Sequence, residues 1–192
     1  FVVRMTPYTP GEQPGGDAIK LNTNENPYPP SPRVTEALLA FDAATLRRYA
    51  SPTAAPLREA AARLHGCEPE CVFAGNGSDE ILALCSRAFV EHDGVIGYFT
   101  PSYSLYPVLA AIREVATRPV PLAANGGWRE PPADSGALFF ITNPNAPTGI
   151  QYPVETVAAF CARARGVVVI DEAYVDFAAT DCLALVRRFE HV

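Results

Sequence analysis

The sequence contains almost no lysine and no long hydrophobic run. Lys20 is the only lysine among 15 basic residues, and the formal net charge is -6. Because no block of basic residues stands out, nucleic acid and anionic membranes are poor candidates as partners. Small anions stay possible ligands, since backbone amides bind them whatever the net charge. No apolar run approaches the ~18 residues that span a membrane, and residues 1–10 lack the apolar segment of a signal peptide.

The cysteines do not form a recognisable disulfide or metal framework. There are five, an odd number, scattered along the chain: Cys67, Cys71, Cys85, Cys161 and Cys182. This distribution predicts reduced thiols in a cytoplasmic protein. No fourth ligand has the spacing of a zinc site around His65, so we predict no metal. A serine hydrolase is disfavoured because no Gly-x-Ser-x-Gly elbow is present.

The pattern of residues predicts an arm followed by an α/β domain. Hydrophobic residues make up 48% of the chain and charged residues 19%, which is typical of a folded protein. Residues 1–32 are rich in Pro, Gly and Asn and predict an extended arm with turns. Two helices are expected next, over 33–43 and 53–64, with Thr53 as the N-cap of the second.

From Cys71 onward, short apolar strands alternate with helices. We expect strands over 72–74, 95–99, 115–121, 137–142 and 167–170, and helices over 78–90, 102–113 and 154–164. This alternation predicts a doubly wound parallel sheet, in which ligands bind where strands end and helices begin.

Three of these crossings carry notable residues. In Gly75-Asn76-Gly77-Ser78-Asp79-Glu80, the glycines allow a sharp turn and the start of the next helix could bind an anion. The same residues also suit a tight turn in which Ser78 or Asp79 is an ordinary N-cap. A dinucleotide fingerprint would need a third glycine at the position of Glu80.

The second crossing is Val168-Val169-Ile170-Asp171-Glu172. It resembles a Walker B strand, but an ATPase also needs a Gly-Lys-Ser/Thr loop, and Lys20 has no such context. Asp171 is therefore either a functional carboxylate at the end of a buried strand or a solvated residue that ends it. The third crossing, 143–149, contains two prolines and a glycine, and suits either a rigid turn or a ligand-facing loop.

Taken together, the motifs resemble class I/II aminotransferases of pyridoxal-phosphate (PLP) fold type I, and most of all the histidinol-phosphate aminotransferases. The arm segments 6–14 and 20–28 resemble the arm of that family, as does Arg48-Tyr49. The resemblance implies a three-layer α/β/α large domain, incomplete here over 33–192 after an arm over 1–32. It also implies that the small C-terminal domain lies outside this chain.

The resemblance implies that PLP is the cofactor and gives roles to matching residues. Gly77, Ser78 and Asp79 would hold the phosphate, and Tyr103 would stack on the pyridine ring. Asp171 would pair with the ring nitrogen, and Tyr174 would bond the ring hydroxyl.

Further family roles imply a homodimer and a substrate-closing segment. Tyr49 would reach the cofactor phosphate of the neighbouring subunit, and Tyr8 and Asn24 would lie in the segment that closes over substrate. The family has an Asn on the ring hydroxyl where Ala146 stands, so we expect either that Asn145 or Asn143 replaces it or that Tyr174 acts alone. The lysine that attaches the cofactor is expected beyond Val192, which leaves no catalytic residue in this chain, and we expect the native protein to be longer.

The activity implied is amino transfer between L-histidinol phosphate and 2-oxoglutarate in histidine biosynthesis. Two alternatives stay open within PLP chemistry: an aromatic aminotransferase, and a decarboxylase that acts on threonine phosphate. A third alternative is a non-catalytic binding module, which would be a naturally short chain.

Overall fold

The computed structural model describes residues 6, 8, 10–13, 15, 16 and 18–192. These residues form two compact units. One unit comprises Thr6, Tyr8 and residues 75–192, and the other comprises the described residues between 10 and 74. The expected domain limits, with a boundary after residue 32, concern the whole protein and stay a prediction.

The smaller unit contains two helices and two short 3-10 helices. Helix α1 spans Pro32–Leu39 and helix α2 spans Ala55–His65, with 3-10 helices at Ala43–Arg47 and Pro69–Cys71. Each α-helix has a proline in its first turn, where the missing N–H costs nothing. The expectation that Thr53 caps α2 was wrong, because the helix begins later and the Ser51 hydroxyl accepts the Ala55 amide at 3.3 Å.

The strand expected over 72–74 is absent from this described unit. The Arg58 guanidinium donates to the carbonyl of Val72 at 2.8 Å and to that of Pro69 at 2.6 Å. Phe73 is left 72% exposed. The Val72 carbonyl therefore accepts a side chain of α2, and segment 72–74 pairs with none of the four strands of the sheet.

The larger unit is built on a four-stranded parallel sheet in the order β2-β1-β3-β4. Its elements are α3 (Ser78–Phe89), β1 (Val95–Thr100), α4 (Leu105–Ile112), β2 (Ala116–Pro121), β3 (Leu138–Thr142), α5 (Val154–Cys161), β4 (Val167–Asp171), a 3-10 helix (Val175–Phe177) and α6 (Leu183–Arg188). The helices expected over 102–113 and 154–164 are present but shorter, and α6 was not expected.

Helices cover both faces of the sheet. Strand β3 is buried over its whole length, so its alternating side chains supply two cores. Leu138 and Phe140 pack in the core that includes residues of α3 and α4. Phe139 and Ile141 pack in the core that includes residues of α5 and α6. The unit is therefore a three-layer α/β/α sandwich.

The parallel arrangement brings the carboxyl ends of the strands to one edge. Thr142, the last residue of β3, is the register partner of Asp171, the last residue of β4. Thr100 ends β1, which is the other neighbour of β3. This is the edge of an open α/β sheet at which ligands bind.

Candidate active site

Asp171 is a buried carboxylate at this edge. It is 8% exposed, and Oδ1 accepts the Ala173 amide at 3.1 Å. Oδ2 accepts the Tyr106 hydroxyl at 2.9 Å. The interpretation of Asp171 as a solvated end of the strand was therefore wrong. Since a carboxylate can accept about four hydrogen bonds, this one retains capacity for a ligand.

Tyr106, on helix α4, is a site residue that the sequence did not reveal. Its side chain is fully buried, its ring stacks on Phe140 at 4.6 Å, and its hydroxyl lies 2.5 Å from Thr142 Oγ1. Burial and the charge of Asp171 raise the pKa of Tyr106, so the phenol keeps its proton. The sequence signal that could have identified Tyr106 is its position three residues after Tyr103, a spacing that places two side chains close together on a helix.

Tyr103 connects this carboxylate to the start of helix α3. Its ring lies 5.8 Å from that of Tyr106, nearly perpendicular, and its hydroxyl donates to Asp79 Oδ1 at 3.0 Å. Burial and Asp79 raise the pKa of the Tyr103 phenol. Tyr8 contacts the same ring edge-on at 6.3 Å. Four predicted residues, Asp171, Tyr103, Asp79 and Tyr8, are thus joined by a continuous row of contacts.

The start of helix α3 is shaped by glycine. Gly77 is the N-cap, with φ 81° and ψ 173°, a conformation that is essentially restricted to glycine. A Cβ there would meet no atom within 4 Å, so Gly77 is required by its backbone conformation and not by crowding. The interpretation of Ser78 or Asp79 as the N-cap was wrong, because the helix begins at Ser78 and no side chain caps it.

The loop at 143–149 is held from within. Asn145 is 1% exposed; its Nδ2 donates to the Pro101 carbonyl at 3.2 Å and to Thr148 Oγ1 at 3.0 Å. Its Oδ1 accepts the Ser102 hydroxyl at 3.1 Å. Asn143 is equally buried, and its Oδ1 accepts the Tyr152 amide at 2.8 Å. Both amide hydrogens of Asn145 are therefore donated inside the chain.

The remaining predicted residues lie at different places. Tyr174 is half-buried and directly precedes the 3-10 helix after β4. Tyr49 and Asn24 belong to the smaller unit and are both exposed, and Asn24 adopts φ 53°.

The described part of the chain contains neither a cluster of metal-binding side chains nor a membrane-spanning helix. Within it, no group of three or more His, Cys, Asp or Glu side chains is arranged to hold a metal ion. No helix in this part is long and apolar enough to cross a membrane. All five cysteines are free, as predicted.

Comparison with known proteins assigns the chain to a family. The chain is 44% identical to a histidinol-phosphate aminotransferase of Geotalea uraniireducens and 45% identical to one of Geobacter sulfurreducens. Each match covers all of this chain and 56% of the relative, so the chain spans little more than half their length.

A solved structure gives the same result for the fold. The histidinol-phosphate aminotransferase of Sinorhizobium meliloti, in complex with pyridoxal-5'-phosphate, superimposes with a TM-score of 0.74 at 26% identity. The match covers 83% of this chain and 45% of that one. The expected fold class, an incomplete α/β/α large domain of PLP fold type I, is confirmed. Residues 16–191 match the family described as aminotransferase class I and II, and the chain belongs to that family.

Proposed function

We propose that the full-length protein transfers an amino group between L-histidinol phosphate and 2-oxoglutarate, with PLP as its cofactor. In this reaction the donor carbon becomes a carbonyl, and the keto oxygen of 2-oxoglutarate is replaced by the amino group to give L-glutamate. The names of the relatives at 44–46% identity support this substrate. The proposal concerns the whole protein, since the chain covers 56% of those relatives.

The observation that carries the proposal is the row of contacts from Asp171 to the start of helix α3. PLP is a flat ring with a nitrogen at one end and a phosphate group extending from the other side. A buried carboxylate, an aromatic ring and a helix N-terminus joined by Tyr106 and Tyr103 suit these three features. The residues present therefore fit the cofactor that the family implies.

When bound, PLP supplies an electron sink, whose strength depends on a proton on its ring nitrogen. Asp171 would hold that proton by its negative charge. Its two hydrogen bonds to the chain fix the orientation of the carboxylate. We propose that Tyr103 stacks on the ring and that Tyr174 bonds the ring hydroxyl.

The phosphate would be held at the start of helix α3. The first amides of a helix are not used inside the helix, and its dipole favours an anion there. We propose that the amides of Gly77, Ser78 and Asp79 and the Ser78 hydroxyl bind it. Because the Asp79 carboxylate accepts the Tyr103 hydroxyl, Asp79 contributes through its backbone.

Asn145 is proposed as a cofactor ligand that also supports the site. A direct bond from its Nδ2 to the ring hydroxyl would require it to exchange one of its two present acceptors, Pro101 or Thr148. Its bonds to Pro101 and Ser102 meanwhile join the loop after β1 to the loop after β3.

We further propose a homodimer in which Tyr49, fully exposed in the single chain, reaches the phosphate in the partner subunit. Tyr8 and Asn24 would contact substrate. The lysine that attaches the cofactor is proposed to follow Val192, since Lys20, the only lysine of this chain, lies in the predicted arm and the chain covers 56% of its relatives. The free thiols favour a cytoplasmic location.

The test is a comparison of donors with the full-length protein and added PLP. L-histidinol phosphate, L-phenylalanine and O-phospho-L-threonine are each incubated with 2-oxoglutarate, and glutamate and carbon dioxide are measured. We expect glutamate chiefly from histidinol phosphate. Glutamate chiefly from phenylalanine would favour an aromatic aminotransferase, and carbon dioxide from phosphothreonine a decarboxylase. Absence of both glutamate and carbon dioxide with all three donors would favour a non-catalytic role.

A further inference from the structure

Behind Asp171 lies a row of three hydroxyl groups. The Tyr106 hydroxyl is 2.9 Å from Asp171 Oδ2 and 2.5 Å from Thr142 Oγ1. Thr142 Oγ1 is in turn 3.1 Å from Ser102 Oγ. The parallel register places Thr142 beside Asp171. Tyr106, on helix α4, contacts both of these residues through its hydroxyl. The row is interior, since Tyr106 is fully buried and Thr142 is 3% exposed.

The number of protons fixes the direction of these hydrogen bonds. An ionised Asp171 can only accept, so the Tyr106 proton lies toward the carboxylate. The short contact between Thr142 and Tyr106 must then use the Thr142 proton. Ser102 lies next in the row, and its hydroxyl donates to Asn145 Oδ1 at 3.1 Å. The Tyr106 and Thr142 hydroxyls therefore both donate toward Asp171, an order in which successive hydrogen bonds strengthen one another.

We propose that Tyr106, oriented by Thr142, is a positioning residue that aims the Asp171 carboxylate at the cofactor nitrogen. The proposal rests on the proposed function, because it assumes that Asp171 faces the ring nitrogen of PLP. A hydrogen bond donated to a carboxylate favours its charged form. Tyrosine provides this donor without adding a charge of its own.

Loss of the donor should shift the proton that Asp171 shares with the cofactor. Without the Tyr106 hydroxyl, Asp171 keeps only one of its two hydrogen bonds to the chain, and we expect the ring nitrogen to lose its proton more readily. A hydrogen bond to a charged group corresponds to about a tenfold or larger change in such a proton equilibrium. The stacking of ring 106 on Phe140 is retained in a Tyr106→Phe variant.

The experiment measures the protonation state of the ring nitrogen of PLP. The full-length holoprotein is loaded with PLP labelled with ¹⁵N in the ring, and the ¹⁵N chemical shift reports whether that nitrogen is protonated. Tyr106→Phe is compared with Tyr152→Phe, which removes another buried hydroxyl whose acceptor is the carbonyl of Gly126. Thr142→Val and Thr142→Ser test the next position, because serine restores the hydroxyl.

We expect a protonated nitrogen in the native protein, in Tyr152→Phe and in Thr142→Ser. The resonance should move toward the unprotonated value in Tyr106→Phe and, to a smaller extent, in Thr142→Val. If the ¹⁵N chemical shift in both Tyr106→Phe and Thr142→Val equals that of the native protein, this proposal is overturned and the proposed function is left intact. An unprotonated nitrogen in the native protein, or no bound PLP, would instead overturn the role of Asp171. If Tyr106→Phe does not fold, the comparison of the ¹⁵N shift in Thr142→Val with that in Thr142→Ser tests the proposal.

Discussion

Replacing Gly77 by alanine should weaken PLP binding without any steric clash. At φ 81° and ψ 173° the backbone is in a region that essentially only glycine occupies. Holding alanine there costs about 1–3 kcal/mol of stability. Because an added Cβ would meet no atom within 4 Å, the whole effect comes from the backbone.

Relieving the strain changes φ and ψ of residue 77 and so turns the peptide group that begins helix α3. If this removes one amide bond to a charged phosphate, about 1.5–3 kcal/mol of binding energy is lost. That corresponds to a rise in the Kd for PLP of roughly 10- to 150-fold. The assay is a titration of the full-length apoprotein with PLP followed by absorbance, together with urea unfolding of the apoprotein.

Gly66→Ala is the matched control. Gly66 ends helix α2 with φ 62° and ψ 42°, so alanine there costs about 1–2 kcal/mol through the same kind of strain. Both variants should lose stability, but only Gly77→Ala should lose affinity for PLP. Equal Kd values for the two variants would refute the assignment of the phosphate to the start of α3.

Three further variants test the site and the core. Asp79→Ala removes the acceptor of the Tyr103 hydroxyl, so the pKa of that phenol should fall in a near-ultraviolet titration; an unchanged titration would contradict the contact. Burial raises the pKa of Glu172, so its ionisation opposes folding once the pH exceeds the pKa in the unfolded chain. Glu172→Gln should therefore increase the free energy of unfolding at pH 8 and leave it nearly unchanged at pH 3, and an equal gain at both would contradict this. Gly97→Ala would place a Cβ 2.2 Å from the Ser135 carbonyl oxygen and should destabilise by about 1–3 kcal/mol or more in urea unfolding, whereas native stability would show that the strand can shift.

The sheet could be predicted because its strands are buried apolar runs. Strands β1, β3 and β4 begin and end within about one residue of the expected positions, since covered parallel strands leave a nearly continuous hydrophobic signal. The segment 72–74 carries the same local signal but forms no strand, because none of the four strands of the sheet pairs with it and a strand needs a partner. Helix α6 has six residues, too few for helical spacing to be decisive.

The site could be predicted in its parts but not in its connections. Asp171 and Gly77 could be chosen as candidates because each belongs to a local pattern of a few residues. Asp171 is a carboxylate that follows an apolar strand, and Gly77 is a glycine that precedes a helix. Tyr106 was not, because its partners Thr142 and Asp171 are 36 and 65 residues away. Only strand register brings those two residues together, and one sequence does not determine register.

The most direct test of the account is to locate the attached cofactor chemically. The full-length protein is loaded with PLP, reduced with borohydride and mapped by peptide mass spectrometry, in the native form and as Asp171→Ala. We predict one phosphopyridoxyl group on a lysine other than Lys20 in the native protein, with weaker loading in the variant. No adduct, or an adduct confined to Lys20, would contradict the assignment of a PLP site to this edge of the sheet.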